Sequence, residues 1–291
     1  MADASRPLIS VVVPTRDRPE LLRRCLDRLA PAVQTLSGEQ YEVIVTDDGN
    51  SGSVRLELAT THSWVRVVNG PRHGPAANRN AGASAAHGNW IAFTDDDTEP
   101  NANWLSAFIK ARIEGVHVYE GRTTCDGGFR SPLFHAPENL TGGRLWSCNI
   151  LIRSATFAAV GGFDEAFQYP HMEDQDLRLR LLAAGERILF VPEAIVNHPP
   201  RRQPPGDRLG AYRESEVRYL YKHGAARPVR AQLCARIIRY RIGVIRNTPK
   251  SFDSLLALWS LVRELWYVYI HIAGWESTAD AEFPVQRGSA S

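Results

Sequence analysis

The stretch FTDDDTEP (93–100) sets three aspartates, Asp95, Asp96 and Asp97, directly behind an apolar run. Carboxylates this close repel one another, so a cation belongs among them. An Asp-x-Asp pair at a strand end suits a hard divalent ion. Mg²⁺ and Mn²⁺ favour oxygen ligands and often take one or two carboxylates together with phosphate oxygens. Taken alone, the triplet reads equally well as a solvated acidic loop. His198 closes RILFVPEAIVNHPP (187–200) and offers an imidazole that Mn²⁺ accepts. By itself it reads as a surface or structural histidine. Beside Asp95 and Asp97 it becomes a candidate third ligand.

A second acidic group lies in MEDQDLRLRLLAAG (172–185), where Glu173, Asp174 and Asp176 open a helical pattern. Acids at a helix N-terminus are favoured by the helix dipole, which accounts for Asp176 with Arg178 and Arg180 nearby. Glu173 and Asp174 are expected to precede the regular helix, so that one of them points into a cleft as general base toward a hydroxyl. Arg16, Arg72 and Arg79 fall in loops or at helix starts. Arginine there clamps phosphate or bonds to bases, although each alone is an ordinary solvated charge. The small residues of GPAANRNAG (74–82) let backbone approach a ligand closely.

Elements that would position these groups follow from periodicity. ISVVVPT (9–15), YEVIVTDD (41–48), WVRVVNG (64–70) and WIAFTDDD (90–97) read as strands. DRPELLRRCLDRLAPAV, GPAANRNAGASAAHG and NANWLSAFIKAR read as the helices between them. This alternation implies a mainly parallel, doubly wound sheet, in which ligands bind at the carboxyl ends of strands. Residues 14–17, Asp47, Asp48 and the Asp95–Asp97 triplet would then share one rim. Beyond 115 the pattern loosens. HVYEGRT (117–123) and WSCNILIR (146–153) are strand-like, and 125–144 is a Gly/Pro-rich loop suited to a lid or an acceptor-facing segment. SATFAAVGGFDEAF is a short helix ending at Gly161–Gly162. MEDQDLRLRLLAAG is a helix with Leu177, Leu181 and Leu182 toward the core, and 187–200 supplies one or two strands.

The chain has 291 residues, 23% charged and 44% apolar, as expected of a globular protein of one or two domains. Residues 1–200 carry 19 Lys/Arg against 24 Asp/Glu, and residues 201–291 carry 15 against 8, net charges of −5 and +7. That split predicts a boundary near 200 and gives the tail an affinity for anions. Cys25, Cys125, Cys148 and Cys234 form no CxxC pair, which disfavours zinc and redox chemistry and suits a reducing compartment. The opening MADASRPLIS lacks a signal peptide's apolar core. The expected location is the cytoplasm, with the tail allowing a peripheral place at the inner face of the membrane.

Taken in order, these stretches resemble family 2 glycosyltransferases of the GT-A fold, an α/β, Rossmann-like mixed sheet flanked by helices. The resemblance runs over about residues 8–200. It rests on VVVPTRDRPELLRRCL, VIVTDDGNSG, GPAANRNAG (similar to G-x-x-x-A-R-N-x-G), FTDDDTEP (similar to a D-x-D followed by proline), GGFDEAF and MEDQDLRLRLLAAG (similar to E-D-x-D-L-x-x-R-L). It implies a catalytic domain over 1–200, binding nucleotide-sugar over about 8–115 and acceptor over about 116–200. Pro14, Thr15, Arg16 and Asp17 would line the nucleotide pocket. Asp48 or Asp47 would accept the N3–H of a uracil-type base, and Arg79 would reach the base or diphosphate. Asp97 would contact Mn²⁺ or Mg²⁺ directly with His198, and Asp95 would lie nearer the ribose. Asp96, among the donor-side acids, stands where a small or neutral residue is usual. Asp174 would be the catalytic base with Glu173 beside it, and Trp146 a platform for an acceptor sugar or a core indole. The implied activity is inverting transfer from a nucleoside-diphosphate sugar, UDP-sugar favoured, to a hydroxyl of a sugar, glycan or glycolipid, in polysaccharide or glycoconjugate synthesis. No Q/R-x-x-R-W follows the base, which favours single transfer over polymerisation.

The tail, 201–291, is expected to be helical. RPVRAQLCARIIRYRIGVIR (227–246) places Val229, Leu233, Ile237, Tyr240 and Val244 on one side, with arginines around the rest. SLLALWSLVRELWYVYIHIAGW (254–275) is apolar and aromatic over a broad face, and Arg263 and Glu264 in its middle argue against a simple membrane span. The pair is expected to pack on the catalytic domain or form a homodimer contact, with a membrane-interface role as the alternative. Among other functions, a sugar nucleotidyltransferase is disfavoured because VVVPTRDRPE lacks a glycine-rich loop. A degenerate binding module is disfavoured because D-x-D and the base are both present. Nucleic-acid binding is disfavoured because no reading motif appears.

Overall fold

The computed structural model describes residues 7–284 except 51. The opening hexapeptide, and with it most of the segment tested for a signal sequence, lies outside the described residues. The chain divides into two units. One holds residues up to 126 and 136–199, and the other holds 127–135 and 200 onward.

The first unit grows from β-branched runs buried on both faces. β1 (Ile9–Thr15) is followed by α1 (Pro19–Leu29), β2 (Tyr41–Asp47), α2 (Ser53–Thr61), β3 (Val65–Asn69), α3 (Pro75–Ser84) and β4 (Trp90–Phe93). β1 pairs in parallel with β2 and β4, and β2 with β3, the pattern of right-handed β–α–β units. Val11 and Val13 face one core, with Leu22, Leu26 and Leu29 of α1 and with Trp104 and Phe108. Val12 faces the other, with Phe93, Phe157, Phe163, Leu177 and Leu181. Each fully buried leucine contributes about 1.5–3 kcal/mol. The short β5 (Glu99–Pro100) leads to α4 (Trp104–Lys110) and β6 (Val118–Thr124).

The sheet then turns mixed. β7 (Phe134–His135) belongs to the second unit. β8 (Ile150–Arg153), α5 (Ser154–Ala159), α6 (Glu173–Ala183) and β9 (Ile188–Asn197) complete the first. Its eight strands run β3-β2-β1-β4-β8-β6-β9-β5, with β8 antiparallel to β4 and β6. Two expectations are corrected here. Only 150–153 of WSCNILIR is strand. Asn149 just before it sends its amide nitrogen to the carbonyls of Arg122 (2.9 Å) and Ala194 (3.1 Å), satisfying backbone groups beside the β6–β9 bulge at Gly121/Arg122. Leu182 is exposed while Leu177 and Leu181 are buried. Of residues 187–200, Ile188–Asn197 form a single long strand, within the one or two expected.

Buried Glu120 in β6 organises the loop that carries Trp146. Its carboxylate accepts the amide N–H groups of Arg144 (3.0 Å), Leu145 (2.7 Å) and Gly143, and the Asn139 side-chain amide (2.9 Å). Four donors on one carboxylate fix 139–145 without any regular element.

The second unit contains a two-stranded ladder of β7 and β10 (Arg201–Arg202), then α7 (Gly206–Lys222), α8 (Arg230–Asn247) and α9 (Phe252–Glu282). A Cβ on Gly206 would lie 2.0 Å from the Ser260 carbonyl oxygen, so glycine there permits close packing of α7 on α9. The helices share an apolar seam of Val217, Leu220, Leu233, Ile237, Leu261 and Val268. The α8 stripe differs from the expected one: Tyr240 is exposed, and Arg241 and Ile245 take the buried positions in register with Val229, Leu233 and Ile237. Arg241 is tolerated there because its Nε faces the buried Glu264 at 3.7 Å, and Arg213 also binds that carboxylate (2.6 Å).

Replacing Glu120 with alanine strands three backbone donors in a buried place. We expect a loss of about 3 kcal/mol in urea unfolding, with the Trp146 segment becoming protease-sensitive first. A loss below about 0.5 kcal/mol would show that the loop holds itself.

Candidate active site

The acidic turn after β4 is closed by its own threonines. Thr98 donates backbone and hydroxyl hydrogens to the Asp95 carbonyl (3.3 and 2.7 Å), and its hydroxyl meets that of Thr94 (2.8 Å). Within this turn the three carboxylates part. Asp96 goes inward, wholly buried, where it accepts from the Thr15 hydroxyl (2.6 Å) and forms an ion pair with Arg18 (2.7 Å). Asp95 takes Arg79 at 2.7 Å, and Asp97 takes Arg18 at 3.1 Å through one oxygen. The other Asp97 oxygen lies 3.4 Å from His198 Nε2. Burial pushes Asp96 up to about 7 against the pull of Arg18, and the Asp97 charge adds to the rise.

His198 is brought to the turn by the end of β9, its backbone amide bonded to the Thr124 carbonyl (2.8 Å). One oxygen each of Asp95 and Asp97 and a ring nitrogen of His198 lie within 4.8 Å of one another. The Nε2 atom is buried with no hydrogen bond. A hard-oxygen pair plus an imidazole nitrogen aimed at them without a donor or acceptor of its own fits a divalent cation of the Mn²⁺ or Mg²⁺ kind.

Arg79 joins this turn to the second acidic group. Its guanidinium is buried, bonds Asp95 and Glu173 (3.1 Å), and lies over the Phe163 ring at 5.7 Å. The side chain expected to reach base or diphosphate is therefore engaged between two carboxylates. Contrary to expectation, Glu173 and Asp174 do not precede α6. They are its first two residues, entered through Met172 in the left-handed region (φ 74°). Both are buried. Burial, with the Glu173 charge next, pushes Asp174 up to about 8. Glu173 is also raised by burial, against Arg79. The buried Cys148 thiol, already raised by burial, is pushed further by the charges of Asp95, Asp174 and Asp97. Asp176 is structural, bonded to Arg180 at 2.8 Å.

The ends of β1 and β2 form the neighbouring part of the rim. The Asp48 amide bonds the Thr15 carbonyl (2.9 Å), and the Asp48 carboxylate accepts the Arg72 amide (2.9 Å) and is raised by burial. Asn78 ties both strand ends through the carbonyls of Thr15 (3.4 Å) and Thr46 (3.1 Å). A Cβ on Gly70 would lie 2.1 Å from Asp48 Oδ1 and 2.4 Å from Asn78 Oδ1, so only glycine fits beside them. Pro14 is buried, Arg16 and Asp17 are exposed, and Asp47 caps the Gly49 amide at 2.8 Å. Trp146 is half-buried and tethered by its indole N–H to the Glu138 carbonyl (3.0 Å), so it is not a core indole. Arg18 and Asn78 were absent from the expected set. Both act through contacts more than thirty residues away along the chain, which local spacing does not reveal.

The model of the family described as "Glycosyl transferase family 2" matches residues 10–160, more than half of the chain. The pre-mycofactocin glycosyltransferase of Mycobacterium tuberculosis is 33% identical over 217 residues, covering 67% of this chain and 43% of that protein. The chain thus spans less than half of that relative's length. Among solved structures, S. aureus TarS 1-349 in complex with UDP-GlcNAc matches with TM-score 0.54 at 16% identity, covering 91% of each chain. The mannosyltransferase PcManGT of Pyrobaculum calidifontis, in complex with GDP-Man and Mn²⁺, matches with TM-score 0.52 at 18% identity, over 95% of this chain and 78% of that one. These likenesses show a common GT-A fold.

Arg18→Met leaves Asp96 with Thr15 alone. Asp96 already holds its proton more tightly folded than unfolded, so its ionisation lowers stability as pH rises from about 4 to about 7. Without Arg18 that window extends upward. We expect unfolding in chelator-treated buffer to show a loss of about 2–4 kcal/mol, larger at pH 8 than at pH 6. Equal losses at the two pH values would remove the ion pair as the cause.

Proposed function

The chain belongs to glycosyl transferase family 2, and we propose that it transfers a sugar from a nucleoside-diphosphate sugar to an acceptor hydroxyl with inversion. The observation that carries this reading is the physical link from Asp95, Asp97 and His198 through Arg79 to Glu173 and Asp174. A set suited to a phosphate-bound cation and a buried carboxylate of raised proton affinity thus share one rim. In the reading, residues 1–200 are the catalytic domain, with donor binding over about 8–115 and acceptor binding over about 116–200.

Asp48 or Asp47 accepts N3–H of the base, which favours a uridine donor. Pro14, Thr15, Arg16 and Asp17 border the nucleotide. Asp97, Asp95 and His198 hold Mn²⁺ or Mg²⁺, which when bound supplies Lewis-acid stabilisation of the diphosphate leaving group. Asp174 takes the acceptor hydroxyl proton while that oxygen bonds the anomeric carbon and the carbon–phosphate-oxygen bond opens, releasing the nucleoside diphosphate. Glu173 raises the proton affinity of Asp174, and Arg79 offsets it. Asp96 acts from beneath, holding the turn. Trp146 offers an apolar face to an acceptor sugar of a glycan or glycolipid. Transfer is single, and the enzyme works where cytoplasmic nucleotide sugars are available.

A thermal-shift screen of nucleoside diphosphates with and without Mn²⁺ tests base, phosphate and cation together. We expect UDP with Mn²⁺ to raise Tm by about 5 °C near hundredfold saturation, and Asp97→Asn to lose the Mn²⁺-dependent part. Full activity of Asp97→Asn under saturating metal would remove the metal assignment.

Asp174→Asn should keep nucleotide affinity by calorimetry and lose about 10²–10⁴ in kcat. Retained turnover would eliminate Asp174 as base. Because a base must be ionised, kcat/KM should rise with pH through about 8. Glu173→Gln removes a negative neighbour and frees Arg79, so the rise should move to lower pH. An unmoved profile would uncouple the two acids.

A further inference from the structure

Helix α9 carries its apolar residues on the outside. Phe252, Leu255, Trp259, Val262, Trp266 and Tyr269 recur in alternating steps of three and four, which puts them on one face. All six are exposed, Trp259 and Trp266 by 62% and 63%. The stripe runs for roughly 26 Å. Only 28% of the most apolar stretch of this helix is buried, so the core of its own unit does not cover it. The opposite face is the packed one, with Ala257, Leu261, Val268 and Ile272 buried. Glu264 lies on that inner side, bonded to Arg213, and Arg263 pairs with Asp207 at 3.0 Å. These pairs bind α9 to α7 as part of a packed unit, which does not suit a helix crossing a bilayer alone.

The charges around the stripe are unbalanced. The unit's acids are largely engaged: Asp207 with Arg263, Glu216 and Glu264 with Arg213, Glu282 with Arg218 and Asp280 with Arg227. By contrast Arg202, Arg208, Arg230, Arg239, Arg246 and Lys250 are exposed and make no ion pair among the described residues. Arg246 and Lys250 stand just before the first stripe residue, and no acid interrupts the stripe's exposed face.

We infer that this face seats in the interface of an anionic lipid bilayer, α9 lying along the surface. The Trp and Tyr rings enter at headgroup depth, and the uncommitted Arg and Lys side chains meet lipid phosphates. Tryptophan and tyrosine suit that depth because one end of each ring is apolar and the other polar. Charge decides against a second copy of the chain. The net charge of residues 201–291 is +7, so self-association sets cation against cation, whereas an anionic surface complements it. The inference stands independently of the transferase reading.

Co-sedimentation of the full chain with vesicles tests it. We expect binding to phosphatidylcholine vesicles containing about 30% phosphatidylglycerol, at least tenfold weaker binding to phosphatidylcholine alone, and release at about 0.5 M salt. Trp259→Glu with Trp266→Glu should lower the partition coefficient about tenfold or more at unchanged circular dichroism and melting temperature. Arg246→Glu with Lys250→Glu, which spares the stripe, should selectively weaken binding to the anionic vesicles. Failure of the wild-type chain to sediment would overturn the inference, as would equal binding by both double variants. A concentration-dependent dimer in light scattering, abolished by the tryptophan double variant, would overturn it in favour of self-association.

Discussion

Three adjacent like charges are the constraint around which the first unit is arranged. A turn that holds Asp95, Asp96 and Asp97 is unstable unless each carboxylate finds separate compensation, and the fold divides them among different elements. Asp96 is returned to the loop after β1 through Thr15 and Arg18, Asp95 is taken by α3 through Arg79, and Asp97 faces both Arg18 and the end of β9 through His198. The turn therefore ties together elements that are far apart in the chain. Breaking any one tie leaves a buried or half-buried carboxylate uncompensated, which costs far more than an exposed ion pair contributes.

The same arrangement sets the proton affinities nearby. Arg79 is shared by Asp95 and Glu173, so its charge cannot fully compensate both. Glu173 in turn presses on Asp174. A carboxylate pushed to about 8 by burial first and by the Glu173 charge next is poised to exchange a proton near neutral pH, which an ordinary surface aspartate is not. Helix dipole and burial oppose each other at the start of α6, and burial wins because both side chains face the interior and not water.

Much of the first unit could be read from its residues. β-branched runs ending in acids gave strands and their polar ends, because both are local patterns. The grouping of Asp95, Asp97 and His198 followed from topology plus resemblance. Arg18 escaped because its partners lie in the turn after β4, a strand beside β1 in space and far away in sequence. Asn149 escaped for a similar reason: an amide serving two carbonyls beside a bulge looks, in the linear chain, like one more residue of a strand.

The helical unit departs from its expected pattern at Tyr240 and Arg241, and the cause is again electrostatic. A helix as uniformly apolar as α9 offers no decision from periodicity about which face is inner. Glu264 decides it: once Arg213 and Arg241 approach that carboxylate, the side of α9 that carries it must face α7 and α8. Trp259 and Trp266, on the other side, are then turned outward despite being among the most apolar residues present. Burying the charges is tolerable because they are paired, whereas burying the tryptophans instead would leave Glu264 in the packed seam's place outside and Arg241 without its partner inside. An outward aromatic stripe is thus a consequence of an inward ion cluster. The exposed arginines of α8 remain uncommitted for the same reason, since the unit's few acids are already held within it.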